Sequence, residues 1–179
     1  MKRACITDIT GQDGVRCETL DGGNSDVVDA FWDYFQQFSG VMGYISPGET
    51  GRRWLDFLAD EDYLDLSMVM GSEARALAYH AYCRVGNHAR FLHACWLHKA
   101  VDDSAGRAFV GRANRYLFLH DILRLKEAVY AIYDFGGWYA ETDNKQMLGV
   151  YKFKEGFGGV VVPTFTCNLG CTLKGPLAL

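Results

Sequence analysis

The sequence predicts an α+β fold, a mixed and mostly antiparallel sheet with helices on both faces, and three observations carry that reading. Residues 63–70, 74–84 and 88–98 are strand-length runs separated by Gly71-Ser72 and Gly86-Asn87. Gly-X pairs between strands form type I′ or II′ turns whose twist matches the strands they join, so these runs predict an antiparallel meander. The second and third runs barely alternate, with Leu77, Ala78, Tyr79, Ala81 and Tyr82 in one and Phe91, Leu92, Ala94, Cys95, Trp96 and Leu97 in the other. Strands of that kind are buried on both faces, which calls for helices on both. Finally, a helix-periodic stretch from Asn114 feeds into a short apolar strand at 131–135, stopped by Gly136-Gly137. That is half of a right-handed crossover, and it sets the strand parallel to the third meander strand.

Taken in order, a short strand is expected at 15–20 after a polar, Gly- and Asp-rich start. Ser25 is read as the N-cap of a helix through Phe38, ended by Gly40, with Val27, Val28, Phe31, Tyr34, Phe35 and Phe38 as its apolar face. A loop at 41–48 leads to a second helix over 50–59, with Trp54, Leu55 and Leu58 inward. After the meander, 99–113 reads as a loop. The central helix then follows, with Tyr116, Leu119, Leu123 and Leu125 as its stripe, widened by Ile122 and Ala128, and with His120, Arg124 and Glu127 opposite. Residues 143–157 are expected to begin helical, and 160–167 to form a final strand.

At 179 residues, with 49% hydrophobic and 22% charged residues, the chain is expected to form one soluble domain over 1–179. No run approaches the roughly 20 apolar residues of a membrane helix, so no membrane insertion is expected. No signal peptide is read at the N-terminus, and cytoplasmic residence is the expectation. Net charge is −4, with 8 basic and 14 acidic residues up to His98 but 10 basic and 8 acidic from Lys99 on. The second part is therefore the one able to attract a phosphate-bearing ligand, with chance composition as the alternative. Of six cysteines, Cys83 and Cys95 read as small buried hydrophobes. Cys167 and Cys171 have no second pair, and no two histidines share metal-ligand spacing on a helix face, so no metal is expected.

Three blocks point to a family. They are Asn114-Arg115-Tyr116-Leu117 with His120-Asp121-Ile122, then Tyr133-Asp134-Phe135-Gly136-Gly137, then Phe153-Lys154-Glu155-Gly156-Phe157-Gly158-Gly159. In this order they resemble the closing segment of FemAB-like acyltransferases, members of the wider GNAT superfamily, over roughly residues 95–165. The resemblance implies the GNAT fold, in which the third meander strand and the parallel strand splay apart to form the donor cleft. An acyl-CoA donor would lay its pantetheine arm on the exposed strand and its pyrophosphate on the loop opening the central helix. The signature of that loop is Arg/Gln-x-x-Gly-x-Gly/Ala. Arg107, Gly111, Arg112 and Ala113 come one residue too long for it, with Asn114 next, and on the loop alone a surface turn with solvated arginines is an equal reading. Lys154 is the lysine that the third block marks for a phosphate, whereas solvated helix-end lysines are the ordinary alternative for it and Lys152. Fem proteins carry two such domains, and this chain has room for one.

Candidate catalytic residues follow. Asp134 ends a strand beside two glycines and could act as general base or orient an amine; the alternative is a turn Asp that caps local amides. Tyr133 and Tyr139 are candidates for protonating a leaving thiolate, against a plain core role. His98 closes the third meander strand near where a thioester carbonyl would lie, whereas His80 and His93 read as core histidines. The expected activity is transfer of an acyl or aminoacyl group to a small-molecule amine by direct attack, with a strand N–H stabilising the oxyanion and the acceptor crossing the loop at 41–48. Acyl-CoA is favoured as co-substrate. Aminoacyl-tRNA is the alternative donor, with a cell-wall or nucleotide-linked acceptor, although an acidic chain suits tRNA less well. A non-catalytic GNAT-fold binding module is the rival from another class, and a homodimer is left open.

Overall fold

The computed structural model describes residues 14–72, 75–137 and 143–165. Two compact units divide the chain: residues 5–137, and residues 138–179 together with 1–4.

The larger unit is built on five strands: β1 (Arg16–Leu20), β2 (Leu64–Met70), β3 (Ala76–Val85), β4 (His88–Trp96) and β5 (Ile132–Asp134). They lie side by side in sequence order. The first three pairings are antiparallel, and β5 joins β4 in parallel. This is the predicted meander with its crossover. Its β3–β4 turn holds Gly86 at φ +59°, where a residue with a Cβ is strained.

Helices α1 (Ser25–Met42) and α2 (Gly48–Asp60) cover one face, and α3 (Ser104–Glu127) covers the other. On the first face Val28, Phe31, Phe35 and Phe38 of α1 and Leu55 and Leu58 of α2 meet Leu64, Leu66, Tyr79, Ala81 and Cys95. At roughly 1.5–3 kcal/mol for each fully buried large apolar side chain, this cluster is the main source of stability. On the second face Val69 and Ala78 pack against Ala113 and Leu117 of α3, and Tyr82 and Ala89 against Leu125.

Four local readings are corrected. The N-cap of α1 is Asn24, whose side chain accepts from the Asp26 N–H, and the helix runs past Gly40 to a left-handed C-cap at Gly43. Trp54 is 51% exposed and stacks on Phe57 along the outer side of α2, whereas Leu55 and Leu58 are buried as expected. The stretch 99–113 is no loop: after one 3₁₀ turn at His98–Ala100, α3 starts at Ser104 with Asp103 as its N-cap. The inward face of α3 is also rotated from the predicted stripe. Val110, Ala113, Asn114, Leu117, Phe118, Asp121 and Leu125 are buried, while Leu123 is 49% exposed. The cause is that Asn114 and Asp121 have polar partners on the sheet, so this face buries polar groups together with apolar ones.

In the smaller unit, α4 (Lys145–Glu155) is the helix expected there, with Phe153 against Phe157. The expected final strand is not formed over 160–165, where the backbone is irregular and Val160 and Phe165 are about nine-tenths exposed. Pro163 lacks the N–H that a ladder needs. Residues 166 and 167 of that strand, and Cys171, lie outside the described residues. Among the described residues no helix is long and apolar enough to cross a membrane.

Candidate active site

The sheet is asymmetric at the β4–β5 seam. His88, Ala89 and Arg90 pair with Ile132, Tyr133 and Asp134, and there β5 ends. Beyond it Gly136 turns at φ +75° close to the Phe91 carbonyl oxygen. From Leu92 to Trp96, β4 has no strand on that edge among the described residues, so alternate backbone N–H and C=O groups face outward. The same stretch also carries a bulge. Tyr82 faces Phe91 and Ala81 faces His93, leaving Leu92 without a partner on β3. Bulges re-aim side chains and cluster beside active sites. Here the bulge puts Phe91 against Phe118 of α3 and His93 against Phe35 of α1, on opposite faces of the sheet.

His93 is thus a half-buried imidazole on the open part of β4. Burial lowers its pKa from the ordinary histidine value, so the ring is neutral at neutral pH, with its lone pair free of a proton. The reading of His93 as a core histidine agrees with its packing on Phe35 of α1; the bulge beside it leaves no mark in an apolar run. His80, the other interior histidine, is fully buried and satisfied as expected.

Under the seam lies a buried polar network. Asp121 Oδ2 accepts from Ser67 Oγ at 2.9 Å, His80 Nδ1 at 2.8 Å and Tyr82 Oη at 2.8 Å. His80 Nε2 stands 2.9 Å from Asn114 Oδ1, and Tyr82 Oη is 3.0 Å from Tyr133 Oη. Burial by itself would raise the Asp121 carboxyl; the His120 ring, with Nδ1 3.5 Å from Oδ1, the hydrogen bonds from His80 and Tyr82 and the His80 charge outweigh it and hold the carboxyl well below the usual range. Burial pushes the Tyr82 and Tyr133 hydroxyls well up, so both stay protonated. Next to the network, Arg124 clasps the buried Asp65 of β2 with bonds of 3.0 and 2.6 Å, locking α3 to the sheet.

The predicted site residues divide. Tyr133 lies at the seam, but its hydroxyl is tied inward to Tyr82, so it anchors β5. Asp134 also lies at the seam. Its Oδ1 accepts the Gly136 N–H at 2.7 Å, the turn-capping arrangement, while Oδ2 is 3.8 Å from both His88 Nε2 and Arg90 Nε. Asp134→Asn keeps the capping oxygen and exchanges a charged for a neutral acceptor. We expect a stability loss of about 1 kcal/mol in urea unfolding and turnover within about tenfold of wild type. A loss beyond a hundredfold in a stable variant would restore Asp134 as a base. His98 has left the strand for the 3₁₀ turn, where its ring stacks on Trp96 with Nδ1 3.4 Å from the Trp96 carbonyl oxygen. Tyr139 lies outside the described residues. Lys154 is in the last turn of α4, in the smaller unit.

The donor-binding set does not stand where the resemblance implies. Gly111, Arg112, Ala113 and Asn114 are about two turns inside α3, where backbone N–H groups are committed to the helical ladder, and Ala113 and Asn114 are buried. They cannot donate to a pyrophosphate. Arg107 donates from Nη1 to the carbonyl oxygens of Val101 and Asp102, at 3.0 and 2.7 Å, stapling the approach to the helix. The stretch that does open α3, Asp103-Ser104-Ala105-Gly106-Arg107-Ala108, has the x-x-x-Gly-x-Ala spacing with an acid in place of the Arg or Gln. Coenzyme A's diphosphate therefore does not fit these residues as they stand. Among the described residues no group of three or more His, Cys, Asp or Glu could hold a metal ion.

No protein-family model matches the chain, and no curated protein matches it. Known structures share its fold. A probable acetyltransferase superposes with a TM-score of 0.60 at 13% identity, covering 86% of this chain and 97% of its own. An aminoglycoside acetyltransferase from an uncultured soil metagenomic sample, in complex with sisomicin, reaches 0.57 at 11% identity, covering 89% and 99%. A ribosomal-protein-alanine N-acetyltransferase from Brucella melitensis biovar Abortus 2308 reaches 0.51 at 7% identity, covering 87% and 97%. The chain has the GNAT acetyltransferase fold, an open mixed α+β sheet of five strands with helices.

Proposed function

We propose that the protein is an acyltransferase of the GNAT type that moves an acyl group from a thioester donor to a primary amine. The observation that carries this is the parting of β4 from β5 after the Arg90–Asp134 pair, which leaves 92–96 as a one-sided strand edge among the described residues. An amide-bearing thioester arm pairs with such an edge as an added strand would. Its carbonyl then lies beside outward N–H groups of β4, which stabilise the oxyanion, and within the reach of His93, which accepts the proton of the attacking amine. The nitrogen–carbonyl bond forms, the carbon–sulfur bond breaks, and the thiolate leaves and takes up a proton.

Support for an amine acceptor comes from the fold's company, which includes enzymes named for an aminoglycoside and for a ribosomal-protein alanine. The FemAB-like blocks add that an aminoacyl group is a suitable cargo. An aminoacyl ester would react by the same attack, but a net charge of −4 weighs against a bulky polyanionic carrier such as tRNA. The test is incubation with an acetyl thioester and a panel of small primary amines, reading released thiol and acylated product by mass. Thiol release with a product mass gain of one acetyl group is expected. Thiol release that never exceeds the protein-free rate, with any amine, would leave a binding module in its place.

A further inference from the structure

We propose that Asp103 is a specificity-determining residue that closes the N-terminus of α3 to a diphosphate, so that the donor is recognised through its thioester arm and not through its nucleotide. The inference rests on the acyl-transfer reading above. A helix start ordinarily attracts anions, because its first N–H groups lack partners and carry the positive end of the dipole. Here that position is already taken. Asp103 Oδ1 accepts the Gly106 N–H at 2.7 Å, so a carboxylate stands where a phosphate oxygen would. Asp102 adds a second, exposed carboxylate beside it.

The nearest cation of the first turn does not compensate. Arg107 points back along the chain to the Val101 and Asp102 carbonyl oxygens, bridging both with one nitrogen. Nor is Gly106 left bare for a ligand. A Cβ there would come within 2.6 Å of Val101 Cγ1 and 2.8 Å of an Asp103 carboxylate oxygen, so the loop's own packing already requires glycine. The Asp103 carboxylate, Gly106 beside it and the Arg107 side chain therefore all serve the protein's own cap. Among the described residues the edge of β4 over 92–96 stays open to a donor, and a strand edge pairs with amide groups.

The test compares acetyl-CoA with acetyl-pantetheine, which carries the same arm and thioester without the nucleotide, on the wild-type protein. Binding is read by calorimetry and turnover by thiol release with a primary amine. The two donors should differ by less than about tenfold in both, since even one charge-assisted hydrogen bond to a phosphate amounts to about tenfold or more. Asp103→Asn keeps the capping oxygen and removes the charge. It should tighten acetyl-CoA binding by about two- to fivefold and leave acetyl-pantetheine unchanged. A wild-type preference for acetyl-CoA beyond tenfold that weakens with salt overturns the inference and leaves acyl transfer standing. An Asn variant that treats both donors as wild type does overturns the role of Asp103. If neither thioester binds or is turned over, the acyl-transfer reading fails and this inference fails with it.

Discussion

Asp121→Ala is expected to destabilise the protein by about 3–5 kcal/mol, lowering the melting temperature by roughly 6–20 °C, with no ligand present. The carboxylate is completely buried and takes three hydrogen bonds on one oxygen, from Ser67, His80 and Tyr82. Truncation leaves those donors in a dry core without an acceptor, and the loss of a partner costs more than the pair contributed. Asp121→Asn separates charge from shape. The depressed Asp121 pKa means that the folded state binds this proton less readily than the unfolded chain does. Its contribution is therefore complete above the unfolded carboxyl value of about 3.9 and is lost as pH falls toward the folded one. The melting-temperature gap between wild type and Asp121→Asn should be constant from pH 5 to 8 and narrow below about pH 4. A gap that persists unchanged to pH 2.5 would show that the carboxylate charge contributes nothing to folding.

The same network explains why one part of the fold was legible in the sequence and another was not. Strands β2 to β5 follow from the glycine turns and from runs too apolar to have a wet face. The two-sided burial by α1–α2 and α3 confirms that logic. In α3 the buried positions 110, 113, 114, 117, 118, 121 and 125 keep faultless helical spacing. Two of them are Asn114 and Asp121, and a hydropathy stripe cannot admit polar residues whose partners are on strands 34 or more residues away. The start of the helix was written in plain capping chemistry, Asp103-Ser104 ahead of the periodic run. With 99–113 taken as the phosphate-binding loop, the helix is instead expected to start at Asn114. The fold and the seam were thus readable from local chemistry, with Asp134 and Tyr133 correctly placed at the seam. The bulge at Leu92 was not, because it depends on the register between two strands and not on either strand alone.

That bulge leads to the second large effect. His93→Gln should reduce turnover by about 10²–10⁴-fold while leaving thioester binding and melting temperature close to wild type. The ring is half-buried, stands on the stretch of β4 that β5 does not reach and packs on Phe35, so glutamine fits without opening a large cavity. Its pKa is lowered by burial, which keeps the imidazole neutral and able to accept a proton down to a pH below the ordinary value of about 6.5. The acid limb of kcat/KM should accordingly fall below pH 6.5 in the wild type and be absent from the residual activity of the Gln variant. The loss should also shrink with acceptor amines of low pKa, which arrive uncharged and need less help from a base. Asp134→Asn, measured alongside, should keep the acid limb. If His93→Gln retains full activity with an unchanged pH profile, the amine reaches the cleft already neutral and β4 contributes only its backbone, with catalysis left to positioning and the oxyanion contact.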